Sequence, residues 1–64
     1  MKLFCVSSEM SSVFIEGKEY TAEFAEGGCR VFSEYGSVFF AGYNEDTGYL
    51  EVGSENGNDL VEFE

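Results

Sequence analysis

The stretch EGKEYTAEFAEGG, residues 16–28, decides the fold class because apolar and polar side chains alternate strictly in its middle. Tyr20, Ala22 and Phe24 occupy every second position, and acidic or hydroxyl side chains lie between them. A period of two is typical of a strand that buries one face and exposes the other. We therefore predict a strand here, with Tyr20, Ala22 and Phe24 in the core.

Outward from this strand, the chain repeats short apolar segments between glycine turns. Eight glycines and no proline leave intervals too short for several helices of about 11–12 residues, but suited to strands of about five. The Asn56-Gly57 pair is a strong hairpin signal. The predicted strands cover residues 2–7, 19–24, 29–35, 38–43, 49–52 and 60–64. The sequence thus predicts one all-β domain, residues 1–64, with five or six short antiparallel strands in a small barrel or a strongly bent sheet.

Aromatic side chains supply the predicted core. A domain of 64 residues buries only about 60% of its unfolded surface and needs dense apolar packing. Seven Phe and four Tyr meet that need, since each can bury roughly 150–250 Å². Phe39 and Phe40 point to opposite faces, so their strand is covered on both sides or leaves a ring exposed. We expect these residues in the core: Phe4, Phe14, Tyr20, Phe24 and Phe63, with Val61 on the same face as Phe63.

Acidic residues dominate the charge of the chain. Thirteen Asp and Glu against three Lys and Arg give a formal net charge of −10. Direct binding to nucleic acid or to an anionic membrane is disfavoured, because both need cationic contacts. A basic protein partner is favoured, and the alternative is that the acid only keeps the protein soluble. Crowded carboxylates are expected to raise one another's pKa, so that salt and mild acid stabilise the fold.

Two cysteines and the amino-terminal segment bear on the cellular compartment. The segment MKLFCVSSEM does not resemble a signal peptide, and no run approaches the roughly 20 apolar residues of a membrane helix. We therefore expect a cytoplasmic protein with both thiols reduced. A bridge between Cys5 and Cys29 would require neighbouring strands, and small buried thiols are the favoured interpretation.

No pattern in the chain indicates catalysis, a cofactor or a metal. Without histidine there is no Ser-His-Asp or Cys-His arrangement and no imidazole ligand for zinc. The glycines match neither a phosphate-binding loop nor a dinucleotide fingerprint. The oxygen-rich segments 44–48 and 55–59 lack the twelve-residue calcium loop and its terminal glutamate, so they are interpreted as ordinary turns. We expect a protein that is not an enzyme.

Three features of roughly the first 40 residues resemble a known family. They are KLFCV (residues 2–6), the spacing F-x-x-G-K-x-Y formed by Phe14, Gly17, Lys18 and Tyr20, and VFSEYG (residues 31–36) after a glycine turn. This pattern resembles the small SH3-like barrel proteins scattered through bacteriophage genomes. The resemblance implies an SH3-like barrel and a phage or prophage origin, and it carries over no functional residue.

Two non-enzymatic functions fit these observations. The first is a phage-encoded inhibitor that blocks a basic, nucleic-acid-handling host protein, with DNA mimicry as the mechanism if the acids gather on one face. The second is a structural or accessory interaction module, or a homo-oligomer, whose acidity serves only solubility. Glu62 and Glu64 are predicted to face solvent. The predicted partner-binding residues are outward acids and tyrosines beside turns: Glu19, Glu23, Tyr35, Tyr43, Glu45, Asp46, Tyr49, Glu51, Glu55 and Asp59.

Overall fold

The computed structural model describes residues 1–53 and 59–64, which contain six β-strands and no helix. The strands are β1 (Lys2–Ser8), β2 (Glu19–Ala25), β3 (Gly28–Phe32), β4 (Val38–Tyr43), β5 (Leu50–Gly53) and β6 (Leu60–Phe63). The all-β prediction is confirmed, and the bounds of β4 agree with it at both ends. The predicted Asn56-Gly57 hairpin lies outside the described residues.

The strands close into a barrel. Each strand pairs antiparallel with the next one along the chain, and β6 returns to pair with β1. The result is a closed six-stranded antiparallel barrel, consistent with a small SH3-like barrel. The register of β1 against β6 shifts between Cys5 and Ser7, and an irregularity of this kind bends a strand. Closure removes the unpaired sheet edges that would otherwise attract other strands.

The third strand is shorter than predicted because Ser33 begins the turn to β4. Its Oγ accepts the backbone N–H groups of Tyr35 and Ser37 at 3.3 and 3.1 Å. Its own N–H donates to the Ser37 carbonyl at 2.7 Å. A serine that satisfies nearby backbone groups competes with the strand ladder. The strand therefore stops at Phe32 instead of continuing to Tyr35.

One aromatic side chain fills the centre of the barrel, and it comes from a connection rather than a strand. Phe14, between β1 and β2, is fully buried. Its ring meets those of Tyr20 and Phe63 edge to face at centroid distances of 5.1 Å, and that of Phe39 at 5.4 Å. Such pairs contribute about 0.5–1.5 kcal/mol each beyond simple burial. The predicted core positions of Phe14, Tyr20 and Phe63 are confirmed, as is that of Val61.

The predicted burial of Phe24 is wrong, since this side chain is 82% exposed. The alternation of β2 holds for Tyr20 and Ala22, which are buried, and fails one step later. Ala22 exchanges backbone hydrogen bonds with Met1 at 3.0 and 2.9 Å, just before β1 begins. The last residues of β2 extend past this point and pair with β3 alone. None of the described strands covers the Phe24 ring.

Phe4 was also predicted in the core, and it is 40% exposed. Its neighbours Leu3 and Cys5 are buried, so the pleat of β1 directs Phe4 to the outer face. There it pairs in register with Glu19 and exchanges two backbone hydrogen bonds of 2.9 Å with Glu64. The ring is therefore flanked by an acidic residue on each side.

Both cysteines are free and buried, as predicted. Burial raises the pKa of the Cys5 thiol above its ordinary value, and the negative charge of Glu16 raises it further. Both effects disfavour the thiolate. Cys5 and Cys29 thus act as small apolar core side chains.

Gly28, the first residue of β3, allows β3 and β4 to approach closely. A Cβ atom at this position would lie 1.9 Å from the carbonyl oxygen of Ala41. Any other residue would therefore force the two strands apart. Gly27 before it has a φ of +81°, a backbone conformation that glycine adopts without steric strain and other residues do not.

We predict that Phe14→Ala destabilises the protein by about 3–5 kcal/mol, the usual cost of emptying a buried aromatic site. Phe24→Ala is the matched control, and its cost should stay within about 0.5 kcal/mol because the side chain is exposed. Urea unfolding followed by far-ultraviolet circular dichroism measures both. Equal losses from the two variants would contradict the description of β2.

Candidate protein-interaction surface

Charge is segregated along the chain. All three cations, Lys2, Lys18 and Arg30, precede residue 31. Residues 31–64 contain no Lys or Arg and eight acids: Glu34, Glu45, Asp46, Glu51, Glu55, Asp59, Glu62 and Glu64. This asymmetry is visible in the sequence, but the net charge of the whole chain conceals it. Its consequence is that β4, β5 and β6 carry no positive side chain.

Two glutamates face each other on the outer surface of β5 and β6. Glu51 and Glu62 are direct partners in the antiparallel register. The next pair along these strands, Val52 and Val61, is buried, so the glutamates point outward. Directly opposed residues have Cβ atoms about 4.5–5.5 Å apart, and like charges in that arrangement are destabilising. The register therefore places two side chains of like charge opposite each other at this position.

Neutral donors hold both carboxylates in place. Asn44 Nδ2 donates to both oxygens of Glu51 at 3.1 Å, and Ser7 Oγ donates to Glu62 Oε1 at 2.8 Å. The Asn44 Oδ1 atom in turn accepts the backbone N–H of Asp46 at 2.8 Å. These bonds orient the carboxylates without cancelling their charge. Two negative charges thus remain at fixed positions on the surface.

Acidic residues of the β4–β5 connection, of the outer side of β5 and β6, and just after β6 are together called the acidic face. Its members are Glu45, Asp46, Glu51, Glu62 and Glu64. Among the residues that the structure describes, ion pairs within 4.0 Å join Lys18 to Glu34 and Arg30 to Glu23. No member of the acidic face takes part in either pair. Glu51 and Glu62 are half-buried, the other members are exposed, and none of the five has a cation within 4.0 Å among the described residues.

The structure brings five of the predicted partner-binding residues together and separates the others. Those brought together at the β4–β5 connection are Tyr43, Glu45, Asp46, Tyr49 and Glu51, of which Tyr43 is exposed and Tyr49 half-buried. Glu19 lies on β2 beside Phe4, and Glu23 lies 4.0 Å from Arg30. Tyr35 is exposed in the β3–β4 turn, and Asp59 precedes β6. Glu55 lies outside the described residues.

Glu62 and Glu64 belong to the acidic face, although the sequence did not place them among the partner-binding residues. Alternation with buried Val61 and Phe63 correctly predicts that both face outward. Their proximity to Glu51 depends on the register between β5 and β6. No local sequence signal determines that register, because a shift of one residue would exchange the two faces.

A second polar cluster lies on the far side of the barrel and has a structural role. Glu34 Oε1 accepts a hydrogen bond from Lys18 Nζ at 2.8 Å, and its Oε2 accepts one from Tyr20 Oη at 2.6 Å. Tyr20 Oη also accepts the Ile15 N–H at 2.7 Å. The cluster borders a shallow depression of about 250 Å³, which Lys2 also lines. These bonds tie the β1–β2 connection to the β3–β4 turn.

The same bonds shift the pKa values of the cluster. The hydrogen bonds from Lys18 and then Tyr20 lower the pKa of Glu34, which contradicts the expected raising of carboxylate pKa values at this residue. The hydrogen bond to Glu34 raises the pKa of Lys18. Desolvation, followed by the bond to Glu34, raises the pKa of Tyr20. The fold therefore favours the charged forms of Glu34 and Lys18 and the neutral form of Tyr20.

The described residues contain neither a candidate metal cluster nor a membrane-spanning helix. Within residues 1–53 and 59–64, no group of three or more His, Cys, Asp or Glu is placed to hold a metal ion. The segment 44–48, considered for calcium, is a turn in which the Gly48 N–H donates to the Asn44 carbonyl at 2.8 Å. The described part of the chain has no helix that could cross a membrane.

Comparisons of the chain with protein-family models, with curated proteins and with solved structures found no match. No relative therefore indicates a role for the residues of the acidic face.

We predict that Glu34→Gln lowers stability at neutral pH and that its difference from the natural protein vanishes in acid. A lowered folded-state pKa contributes stability that is present above the unfolded pKa, near 4.5, and lost as pH falls through the folded value. Thermal unfolding of both proteins between neutral pH and pH 3 measures the difference. A difference in stability that stays constant over this range would show that the Glu34 charge does not contribute to the stability of the fold.

We predict that Glu62→Gln stabilises the fold by about 0.2–1 kcal/mol at low salt, because it removes the like charge opposite Glu51. The amide oxygen can still accept the hydrogen bond from Ser7. Glu16→Gln is the control, since Glu16 is exposed in the β1–β2 connection. Urea unfolding at low and high salt tests this, and the gain should shrink at high salt. An equal gain from the control would contradict a specific repulsion between Glu51 and Glu62.

Proposed function

We propose that this protein is a non-enzymatic binding protein that docks a basic protein through its acidic face. The observation that carries the proposal is the in-register pair Glu51 and Glu62, held by neutral donors in a part of the barrel without cations. Such a surface attracts cationic partners over distances of about one Debye length. Complementary charge mainly accelerates association and selects the partner.

Solubility alone does not account for this arrangement. A net charge of roughly 2–8 in magnitude is enough for a small soluble domain, and this chain carries −10. Acids dispersed over the surface would give the same solubility without placing two of them opposite each other. Costs in stability that persist in a small fold are typical of functional surfaces.

Two tyrosines at the β4–β5 connection, close in sequence to Glu45 and Asp46, supply the apolar part of the contact. Tyr43 is exposed at the end of β4 and pairs in register with Leu50, and both residues alternate with the outward pair Gly42 and Glu51. Tyr49 is half-buried in the same connection. Tyrosine is enriched among the residues that dominate binding energy, and its ring also attracts arginine and lysine. Carboxylates beside tyrosines therefore suit a basic partner segment.

The finer form of the proposal concerns the partner. The resemblance to phage barrels supports a phage-encoded inhibitor that acts on a nucleic-acid-handling host protein. The barrel is 26 Å across, and duplex DNA presents roughly 15 charges over that length. The acidic face has five acids, about a third of that number. The proposed mimicry is therefore of a few phosphates in a small basic site, not of a long duplex.

The alternative is an accessory interaction module whose acidity serves only solubility. Its support is that other acids are dispersed: Glu16 lies in the β1–β2 connection and Glu26 in the β2–β3 turn, both exposed. The two functions differ in whether the position of an acid matters.

The experiment compares two variants with equal changes of charge. Glu51→Gln with Glu62→Gln neutralises the acidic pair, and Glu16→Gln with Glu26→Gln neutralises two dispersed acids. Each protein is used to capture proteins from a bacterial lysate at low and high salt, and captured proteins are identified by mass spectrometry. We expect a basic protein that is retained at low salt, lost at high salt, and bound at least about tenfold more weakly by the acidic-pair variant alone.

Two outcomes would contradict the proposal. Equal weakening by both double variants would favour the accessory module, because the position of the acids would not matter. Capture of an acidic protein, or binding that salt leaves unchanged, would exclude docking through charge.

A further inference from the structure

A second surface of the barrel has the opposite character to the acidic face. The outer faces of β3 and β4 form what we call the apolar face: Gly28, Arg30, Phe32, Val38, Phe40 and Gly42. Neither strand contains an acidic residue. Val38 is 52% exposed and Phe40 53% exposed. In a protein of net charge −10, this surface carries one positive charge and exposed hydrocarbon.

The Phe40 ring packs against two glycines on one side, but packing within the chain does not explain why the rest of the ring is exposed. A Cβ atom on Gly42 would lie 3.6 Å from Phe40 Cε2, and one on Gly27 would lie 3.9 Å from Phe40 Cζ. One side of the ring therefore covers bare glycine backbone, a known way to protect glycine in a sheet. The remainder of the ring faces solvent, as does Val38.

The charges beside the apolar face are self-complementary. Arg30 pairs in register with Phe40 on one side and with Glu23 on the other. Arg30 Nε lies 4.0 Å from Glu23 Oε1, and both side chains are about half exposed. A twofold interface needs a patch that matches itself, and an apolar surface beside one positive and one negative side chain meets that condition.

We propose that the apolar face is a self-association surface on which two copies of this chain pack about a twofold axis. Val38 and Phe40 of one copy pack on those of the other, and Arg30 of each copy faces Glu23 of its partner. The occupant is a second copy because Arg30 and the neighbouring Glu23 together carry no net charge, whereas a basic protein would be drawn to the acidic face instead. This proposal does not depend on the proposed function.

The size and charge of the two copies determine how strong the association is. The exposed parts of Val38 and Phe40 provide roughly 150–200 Å² of apolar surface in each copy, or about 300–400 Å² in the pair. This total lies in the weak class of interfaces, below about 1,200 Å². Gly42 pairs in register with Glu51, so the apolar face borders the acidic one. Association therefore brings two acidic faces closer together. Salt screens that repulsion, and the dimer should strengthen as salt rises.

Sedimentation equilibrium up to millimolar protein tests the proposal. Salt concentrations of about 10 mM and 1 M change the Debye length from about 30 Å to about 3 Å. We expect monomer at low salt and a monomer–dimer equilibrium at high salt. This dependence is opposite to that of a basic partner on the acidic face, so the two proposals can fail separately. A protein that remains monomeric at the highest concentration and salt would overturn the proposal.

Variants identify the surface used. Phe40→Ser should weaken the dimer at least about tenfold, and Phe4→Ser, on the opposite strand of the barrel, should change it less than about twofold. Circular dichroism checks that each variant is folded. If Phe40→Ser does not fold, Val38→Glu replaces it, since this exposed position tolerates a polar residue and the added charges face each other across the axis. Equal loss from Phe4→Ser would overturn the assignment of the face.

A charge exchange provides the final test. Arg30→Glu alone should weaken the dimer, because like charges then meet across the axis. The double variant Arg30→Glu with Glu23→Arg restores opposite charges and should recover the association to within about threefold of the natural protein. Failure of the double variant to recover would show that these two residues do not face each other in the dimer.

Discussion

The packing of Phe14 against three other rings is the interaction on which the rest of the barrel depends. Tyr20, Phe39 and Phe63 come from three different strands, and one side chain from the β1–β2 connection joins them. The Val13 and Phe14 N–H groups both donate to the Met10 carbonyl at 2.8 Å, and this turn directs the Phe14 ring inward. The described residues form six strands with no helix to cover the core from outside the barrel. The β1–β2 connection therefore supplies the side chain that fills the core, as a packed helix does in larger domains.

The sequence predicts the strands well because their pattern is local. Alternation and glycine turns are enough to locate β4 and to place Val61 and Phe63 in the core. The same alternation fails at Phe24, since a pleat determines the side to which a residue points but not whether another strand lies on that side. The opposed pair Glu51 and Glu62 depends on a register that no neighbouring residue in the sequence specifies. Strands are thus predictable from the sequence, and the candidate surface is predictable only in part.

Glutamates in this protein differ in electrostatic environment because their hydrogen-bond donors differ. Glu34 accepts hydrogen bonds from Lys18 and Tyr20, so its charge is compensated and supports the fold. Glu51 and Glu62 accept bonds from Asn44 and Ser7, which are neutral, so their charge remains available to a partner. A net charge cannot distinguish these cases. The distinction comes from the donor that each carboxylate meets, and it separates the structural acids from the acids of the proposed docking surface.

The two proposed surfaces share a border at Gly42 and Glu51, so that binding at one would affect binding at the other. A cationic partner on the acidic face neutralises charges that oppose the approach of a second copy. Binding of the partner should therefore strengthen self-association, and by thermodynamic reciprocity the dimer should bind the partner more tightly. The proposed dimer would also present two acidic faces, which would increase the apparent affinity for a partner with two basic sites that both faces can reach. High salt would produce the dimer but weaken the partner contact, so the coupling is greatest at intermediate ionic strength.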